Sequence, residues 1–261
     1  MAGLEKTFET AFDDAAVDYD ESRPAYCQEL YHDLLAYQPI SPQSCVLEIG
    51  MGTGKATEAV LKTGGLLTAL EPGTHLAKMA MAKLERYNNL EIIEKTLQDY
   101  ACEDETFDLI YAATSFHWIP EEYGYSRVFS LLKKGGAFAR FAYHAGPDVS
   151  RPELEADIQK LYDQIPSLPG KYRAFADEQA KHLSEIALKY GFTDAAYHVY
   201  RWTKTFSADE YMRLLRTYPN HMSLETEERE ALFSGIHRAI TRHGGEICVH
   251  YTADMQLARK E

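Results

Sequence analysis

The sequence predicts an α/β fold in which parallel strands alternate with helices. Within the first 146 residues, five short apolar runs are separated by stretches of helical periodicity, which is the pattern of repeated strand-helix-strand units with right-handed crossovers. The first of these runs passes directly into a glycine-rich turn and then into a helical pattern. That order is typical of sheets that hold a ligand at the carboxyl ends of their strands.

Two helices are expected before the first strand. Residues 5–20 form an acidic segment with helical spacing of its aromatic side chains, and residues 24–37 form an amphipathic helix. Ser22 is a candidate N-cap for the second helix, and Pro24 suits its first turn.

The first predicted strand ends in the most informative turn of the chain. Val46, Leu47 and Ile49 are a short buried run, and glycines follow at positions 50, 52 and 54. Gly50, Gly52 and Gly54 allow the backbone to turn tightly and to approach a ligand without an intervening Cβ. A helix over 55–63, starting near Lys55, would then offer free N–H groups to that ligand.

The second predicted strand, 66–70, ends in an acid, Glu71. An acid at this point can accept hydrogen bonds from both hydroxyls of a ribose, although it can also serve the N-terminus of the helix predicted over 74–87. A third strand over 90–93 follows that helix.

The fourth strand, 107–113, leads into a loop that contains His117 and Trp118. A helix over 122–132 comes next, and Lys133-Lys134-Gly135-Gly136 has the lysines and glycines that favour a helix C-terminus. The fifth strand is then expected over 137–143.

The glycine turn, Glu48-Ile49-Gly50-Met51-Gly52-Thr53-Gly54, resembles motif I of the class I S-adenosylmethionine-dependent methyltransferases. The resemblance implies S-adenosylmethionine as cofactor, with Glu48 receiving an amino group or a bound water and Glu71 receiving the ribose. It also implies a Rossmann-like sheet of seven mostly parallel strands with helices on both faces. Segments 195–205 and 247–259 match the sixth and seventh strands of that sheet, the last antiparallel.

Residues 151–190 are polar and helical in pattern, and we interpret them as a helical lid inserted before the last two strands. We therefore divide a single catalytic domain into a cofactor-binding half, 1–146, and a second half, 147–261, with the lid and the final strands. Helices are expected near 208–217 and 226–243.

Other segments resemble the small-molecule methyltransferases related to trans-aconitate methyltransferase. The segment Tyr19-Asp20-x-x-Arg23-Pro24-x-Tyr26 resembles the part that closes over the cofactor, which implies that Arg23 pairs with the methionine carboxylate and that Tyr19 adds a hydroxyl contact. A surface ion pair of Arg23 with Asp20 or Glu21 is the alternative.

The same resemblance assigns the remaining cofactor contacts. Leu97 would cover the adenine ring, Gln98 would supply a polar contact, and Ala113 would lie at the ligand end of the fourth strand.

Two histidines are candidates for catalysis. His117 lies in the loop after the fourth strand, and His221 lies in a loop expected to overhang the methyl group. An ionised carboxylate acceptor needs no base, whereas a hydroxyl or amine acceptor would make either histidine the candidate base. A purely structural role for His117 is the alternative.

Two other functions remain open at this stage. A nicotinamide-dependent oxidoreductase is expected to have glycine at the third position of the dinucleotide fingerprint, where this chain has Lys55. A cofactor-binding protein without catalysis would look the same in sequence, because methyl transfer has no obligatory catalytic residue.

Composition limits the partners. The 27 basic and 40 acidic residues give a formal charge of -13, which opposes binding to nucleic acid or to an anionic membrane. No run approaches the roughly 18 apolar residues of a membrane span, and residues 1–20 carry six acids rather than a signal-peptide pattern. We expect a cytoplasmic protein that acts on a small-molecule substrate, with four reduced cysteines, no metal site and an undetermined oligomeric state.

Overall fold

The computed structural model describes residues 20–168 and 175–261. Tyr19 lies outside the described residues, and so does the predicted helix over 5–20 apart from its last residue. The strands are β1 (Cys45–Ile49), β2 (Leu66–Leu70), β3 (Leu90–Ile93), β4 (Phe107–Ala113), β5 (Leu132–Gly146), β6 (Thr193–Ser207) and β7 (Glu246–Arg259).

The α-helices are α1 (Gln28–Tyr37), α2 (Thr57–Leu61), α3 (Thr74–Leu84), α4 (Glu121–Leu131), α5 (Pro152–Tyr162), α6 (Asp177–Glu185), α7 (Ala208–Arg216), α8 (Pro219–Met222) and α9 (Thr226–Arg242). Two 3₁₀ helices complete the described elements, Phe116–Trp118 and Ile186–Tyr190. No helix in the described ranges is both long enough and apolar enough to cross a bilayer.

The strands form one seven-stranded sheet in the order β3-β2-β1-β4-β5-β7-β6. Each neighbouring pair from β3 to β5 is parallel. β7 is antiparallel to β5, because Lys260 beyond its end exchanges backbone hydrogen bonds with Gly135 and Gly136 at the start of β5, whereas His250 lies against Gly146 at the end of β5. The mostly parallel sheet with an antiparallel last strand is therefore as predicted.

The chain separates into two compact units. One comprises Ala25–Tyr143, Ala176–Tyr200 and Ala253–Glu261, and the other takes the described residues of Met1–Pro24, His144–Phe175 and Arg201–Thr252. We call them the sheet unit and the second unit. The proposed halves, 1–146 and 147–261, stay a prediction, as does a lid role for the helices between β5 and β6.

The core of the sheet unit explains why β1 forms where it does. Leu47 and Ile49 pack with Leu70 of β2 and Ile110 of β4, and all four are buried. Strands buried on both faces are nearly continuous apolar runs, so the acid within β1, Glu48, is an exception to the local pattern.

The fifth strand starts five residues earlier than the predicted position 137. The lysine-glycine segment 133–136 was expected to end a helix, but α4 ends at Leu131 and β5 begins at Leu132. Gly135 adopts φ +78°, and its N–H donates to the carbonyl of Lys260 at 2.6 Å. Pairing with the last strand therefore decides the conformation of this segment.

Two helix starts were also misplaced. α1 begins at Gln28, and the residue before it, Cys27, makes no side-chain cap, so Ser22 and Pro24 do not start this helix as expected. The chain is extended at Cys27, and the Tyr26 ring before it packs edge-on against Phe141 at a centroid distance of 4.9 Å. α2 begins at Thr57, two residues later than predicted.

Arg259 joins the end of β7 to α1 and β5. Its guanidinium donates to the Tyr37 carbonyl at 2.8 Å, to the Gln38 side-chain oxygen at 2.7 Å and to the Gly135 carbonyl at 2.7 Å. It also lies over the Tyr37 ring, 4.7 Å from the centroid. These contacts hold the C-terminus of α1 against the sheet.

We expect Arg259→Met to lower the free energy of unfolding by about 2 to 3 kcal/mol, because hydrogen bonds from a charged donor are lost and carbonyls are left unpaired. Urea denaturation measures the change. Arg259→Lys keeps the charge without the planar donor arrangement and should lose less. A loss below about 0.5 kcal/mol for the Met variant would contradict the assigned role.

Candidate cofactor and acceptor site

The glycine turn between β1 and α2 is held in a conformation that excludes most other residues. Gly50, Gly52 and Gly54 have φ of +69°, +58° and +81°. The N–H of Gly50 donates to the carbonyl of Leu70 at 2.9 Å, which ties the turn to the end of β2. A Cβ on Gly50 would lie 2.6 Å from the Cβ of Ser115, so glycine is required there.

Glu71 connects the second strand to this turn. Its Oε2 accepts from the N–H of Gly52 at 2.7 Å, and its Oε1 accepts from the N–H of Gly73 at 2.8 Å. The residue is buried and directly follows β2, as the sequence predicts. Because each carboxylate oxygen can accept more than one hydrogen bond, Glu71 can fix the turn and still accept from ligand hydroxyls.

Glu48 is fully buried beneath the turn. Its Oε2 accepts from the Thr57 hydroxyl at 2.7 Å and from the Tyr111 hydroxyl at 2.8 Å, whereas its Oε1 has no hydrogen-bond partner. A buried acceptor without a partner is uncommon and is satisfied by a donor on a ligand or by an ordered water.

The environment also changes the acidity of Glu48. Burial raises the pKa of its carboxyl from 4.5 to about 7, against the lowering by the Thr57 and Tyr111 hydrogen bonds, and the charge of Glu71 adds to the rise. The carboxyl is therefore partly protonated near neutral pH. A positively charged donor beside Oε1 would favour its ionised form.

The end of β4 contains a strained residue that the sequence did not indicate. Thr114 has φ +56°, a left-handed conformation that is unfavourable for a β-branched residue. Its N–H donates to the Phe141 carbonyl at 2.7 Å, and its hydroxyl hydrogen-bonds to that of Tyr26. Strain of this kind concentrates at functional sites.

His117 and Trp118 follow in a 3₁₀ helix anchored by the buried Phe116. Phe116 packs edge-on against Tyr125 with centroids 5.2 Å apart. The His117 and Trp118 rings lie 4.8 Å apart, and both side chains are exposed, Trp118 to 44%. The anchor therefore presents an imidazole and an indole to solvent at the carboxyl edge of the sheet.

The three remaining predicted contacts of the sheet unit differ in exposure. Leu97 is 2% exposed and belongs to the core cluster that includes Ile49 and Leu70. Gln98 is exposed, and Ala113 is half-buried at the end of β4. Their roles towards an adenine ring stay predictions.

Arg23 lies in the second unit, where it is buried. Its Nε donates to the Thr217 hydroxyl at 2.9 Å, its Nη2 donates to the Thr217 carbonyl at 2.8 Å, and the guanidinium lies 4.2 Å from the centre of the Tyr218 ring. These contacts fix the side chain within the second unit. Its pairing with a cofactor carboxylate stays a prediction.

His221 is also in the second unit and is 1% exposed in α8. Its Nε2 is hydrogen-bonded to the Tyr162 hydroxyl at 2.8 Å, and its Nδ1 has no partner. Burial, together with a smaller effect of the Arg23 charge, lowers the pKa of His221 from 6.5 to about 4. The ring is therefore neutral at pH 7, and it is a weaker base than a solvent-exposed imidazole.

Within the described residues, no group of three or more His, Cys, Asp or Glu side chains could hold a metal ion. The four cysteines are unpaired thiols, Cys27, Cys45, Cys102 and Cys248.

The glycine turn lies within a segment that matches a known protein family model. Residues 46–136 match the family model of the methyltransferase domain. An uncharacterized methyltransferase of Schizosaccharomyces pombe is 24% identical over 235 residues, covering 90% of this chain and 87% of the relative. The trans-aconitate 2-methyltransferase of Paracidovorax citrulli is 32% identical over 124 residues, covering 46% and 44%.

Solved structures share the fold. Phosphoethanolamine N-methyltransferase 2 of Haemonchus contortus, in complex with phosphomonomethylethanolamine and S-adenosylhomocysteine, aligns with a TM-score of 0.55 at 16% identity, over 95% of this chain and 57% of that one. The YcgJ protein of Bacillus subtilis aligns with a TM-score of 0.54 at 14% identity, over 90% and 100%. The predicted Rossmann-like α/β fold is therefore confirmed.

The raised pKa of Glu48 predicts a dependence of stability on pH. The folded state holds this proton more tightly than the unfolded state, so the stabilisation is fully present below pH 4.5 and is lost as the pH rises through about 7. Relative to the wild type, Glu48→Gln should gain about 1 to 3 kcal/mol of unfolding free energy between pH 4.5 and about pH 8.

Urea unfolding at both pH values gives this difference. Glu85→Gln, which removes an exposed carboxylate, is the control and should show no such trend. An identical pH dependence in wild type and Glu48→Gln would mean that Glu48 does not titrate in this range.

Proposed function

We propose that this chain, a class I S-adenosylmethionine-dependent methyltransferase, transfers a methyl group to a small-molecule acceptor that carries a carboxylate, a hydroxyl or an amine. The observation that carries the assignment is the buried, unpartnered Oε1 of Glu48 beneath a glycine turn that Glu71 fixes. The family match disfavours the nicotinamide alternative, in agreement with Lys55 at the third glycine position.

The residues present fit the cofactor. Glu48 offers its unpartnered Oε1 to an amino group, the Glu71 carboxylate would accept from ribose hydroxyls, and the glycine turn lets the ligand approach closely. Further contacts are proposed for Leu97, Gln98 and Ala113 in the sheet unit, and for Tyr19 and Arg23. When bound, S-adenosylmethionine supplies an activated methyl group, so the protein needs mainly to position the acceptor and exclude water.

The net charge of the chain and its similarity to a named relative support a small-molecule acceptor. A formal charge of -13 disfavours nucleic acid as a substrate, and one relative is named a trans-aconitate 2-methyltransferase. A carboxylate acceptor is already ionised near pH 7 and needs no proton removed. The protein would then need only to orient the carboxylate and exclude water. We also propose a cytoplasmic location for this activity.

A hydroxyl or amine acceptor would require a base, and the two histidines differ as candidates. His117 is exposed at the carboxyl edge of the sheet, where it can receive a proton and release it to water. His221 is buried with a pKa of about 4, so its neutral ring suits hydrogen bonding to an acceptor better than proton removal. We therefore favour His117 as the base and His221 as a hydrogen-bonding residue.

The glycine turn provides a direct test of cofactor binding. Gly52→Asp should abolish binding of S-adenosylmethionine, measured by isothermal titration calorimetry, because the side chain fills the turn and adds a charge where the N–H of Gly52 lies 2.7 Å from Glu71. Gly52→Asn is the matched uncharged control. Both residues tolerate φ near +58°, so both variants should fold.

The Asn variant should bind the cofactor at least about tenfold more weakly than wild type, and the Asp variant more weakly still, because a carboxylate repels Glu71. Unchanged affinity for S-adenosylmethionine in the Asp variant would contradict the assignment of the glycine turn to the cofactor site.

The acceptor class is tested by assaying formation of S-adenosylhomocysteine with separate panels of small carboxylic acids, phenols and amines. We expect turnover with members of at least one panel, and none with RNA or protein substrates. If a phenol or an amine is methylated, His117→Ala should lower turnover by about 100-fold or more. Cofactor affinity should not change.

His182→Ala, which removes an exposed histidine of α6, is the control and should retain full activity. Full activity of His117→Ala on a phenol or an amine would contradict the proposed role of His117 as a base and leave it a structural role. An absence of turnover in every small-molecule panel, with the cofactor still bound, would contradict the proposed acceptor.

A further inference from the structure

An open groove of about 700 Å³ lies between α7 and α9 in the second unit. On α7, Asp209, Arg213 and Arg216 face it, at positions i, i+4 and i+7 of the helix. This spacing places the three side chains along one face. One wall of the groove is therefore a continuous row of polar side chains from α7.

The opposite wall comes from α9, which contributes Glu230, Ser234 and Arg238, at positions i, i+4 and i+8. Between the helices, the buried side chains of Met212 and Phe233 form an apolar floor. The groove thus combines charged walls with a surface suited to an organic skeleton.

The charges within the groove are unequally paired. Arg216 lies 3.6 Å from the carboxylate of Glu230, and His237 is 3.0 Å from that of Asp209. Arg213 and Arg238 have no carboxylate within ion-pair distance among the described residues.

Arg213 also interacts with the charge of Glu210, which lies outside the groove and accepts hydrogen bonds from the N–H and the hydroxyl of Ser207, both at 2.8 Å. The groove therefore exposes two guanidinium groups that form no ion pair with a described carboxylate, in a chain whose formal charge is -13. A local positive region on an otherwise acidic chain attracts anions.

We propose that this groove binds a compact anion, namely the phosphate or carboxylate group of a small organic molecule. Arg213 and Arg238 supply planar donors that match either oxyanion, and the Ser234 hydroxyl adds a further donor. The organic part rests on Met212 and Phe233. The flanking carboxylates, Asp209 and Glu230, repel an extended polyanion, which selects against nucleic acid.

The test is isothermal titration calorimetry of the 261-residue chain with phenyl phosphate, inorganic phosphate and benzoate, at constant ionic strength set with sodium chloride. Saturable binding is expected for phenyl phosphate, benzoate or both, and each should bind more tightly than inorganic phosphate because its ring contacts the apolar floor. Comparison of phenyl phosphate with benzoate distinguishes the phosphate from the carboxylate as the favoured group.

The double variant Arg213→Gln/Arg238→Gln should weaken this binding by at least about tenfold, since charge-assisted hydrogen bonds are lost. Lys134→Gln/Lys181→Gln removes the same number of charges from exposed positions outside the groove and should bind like the wild type. Arg213→Lys/Arg238→Lys retains the charge and should lose affinity partially.

Thermal unfolding of each variant without ligand checks that it is folded. Three results would overturn the proposal. These are an absence of saturable binding by every probe, equal affinity in the wild type and the Arg-to-Gln double variant, and equal weakening in the lysine control.

Discussion

The sheet unit depends on the way in which two carboxylates are accommodated beneath and beside a glycine turn. Glu48 interrupts an otherwise apolar strand and is tolerated because Thr57 and Tyr111 donate to one of its oxygens. Glu71 is held by backbone N–H groups of Gly52 and Gly73. Burial of an acid is unfavourable unless its oxygens find donors, so the positions of β1, β2 and β4 relative to the turn are tightly constrained.

The strands of the sheet unit were predictable because their physical signals are local. β2, β3 and β4 have the predicted bounds, since each is an apolar run enclosed by turn-forming or polar residues. The start of β5 was not predictable, because Lys133 to Gly136 carry the residue types of a helix end. Their conformation is decided by pairing with Lys260, more than 120 residues away, which no local pattern encodes.

In the candidate site, too, some features have a local signal in the sequence and others depend on distant contacts. Spacing, together with the resemblance to motif I, singled out Glu48, Glu71 and the glycines as candidates, because a tight turn needs particular residues at particular intervals. The left-handed conformation of Thr114 left no trace in the sequence, since a threonine is not expected at positive φ. His117 and His221 looked equivalent as residue types, and their opposite exposure became clear only from the packing around them.

The bonds from Gly52 to Glu71 and from Gly50 to Leu70 have a consequence for the thermodynamics of ligand association. A flexible loop must lose conformational entropy when a ligand immobilises it, and this loss weakens affinity. Here the turn is already constrained at Gly50 and at Gly52 by these hydrogen bonds. The site is therefore preorganised, and a larger share of each ligand contact is retained as binding free energy.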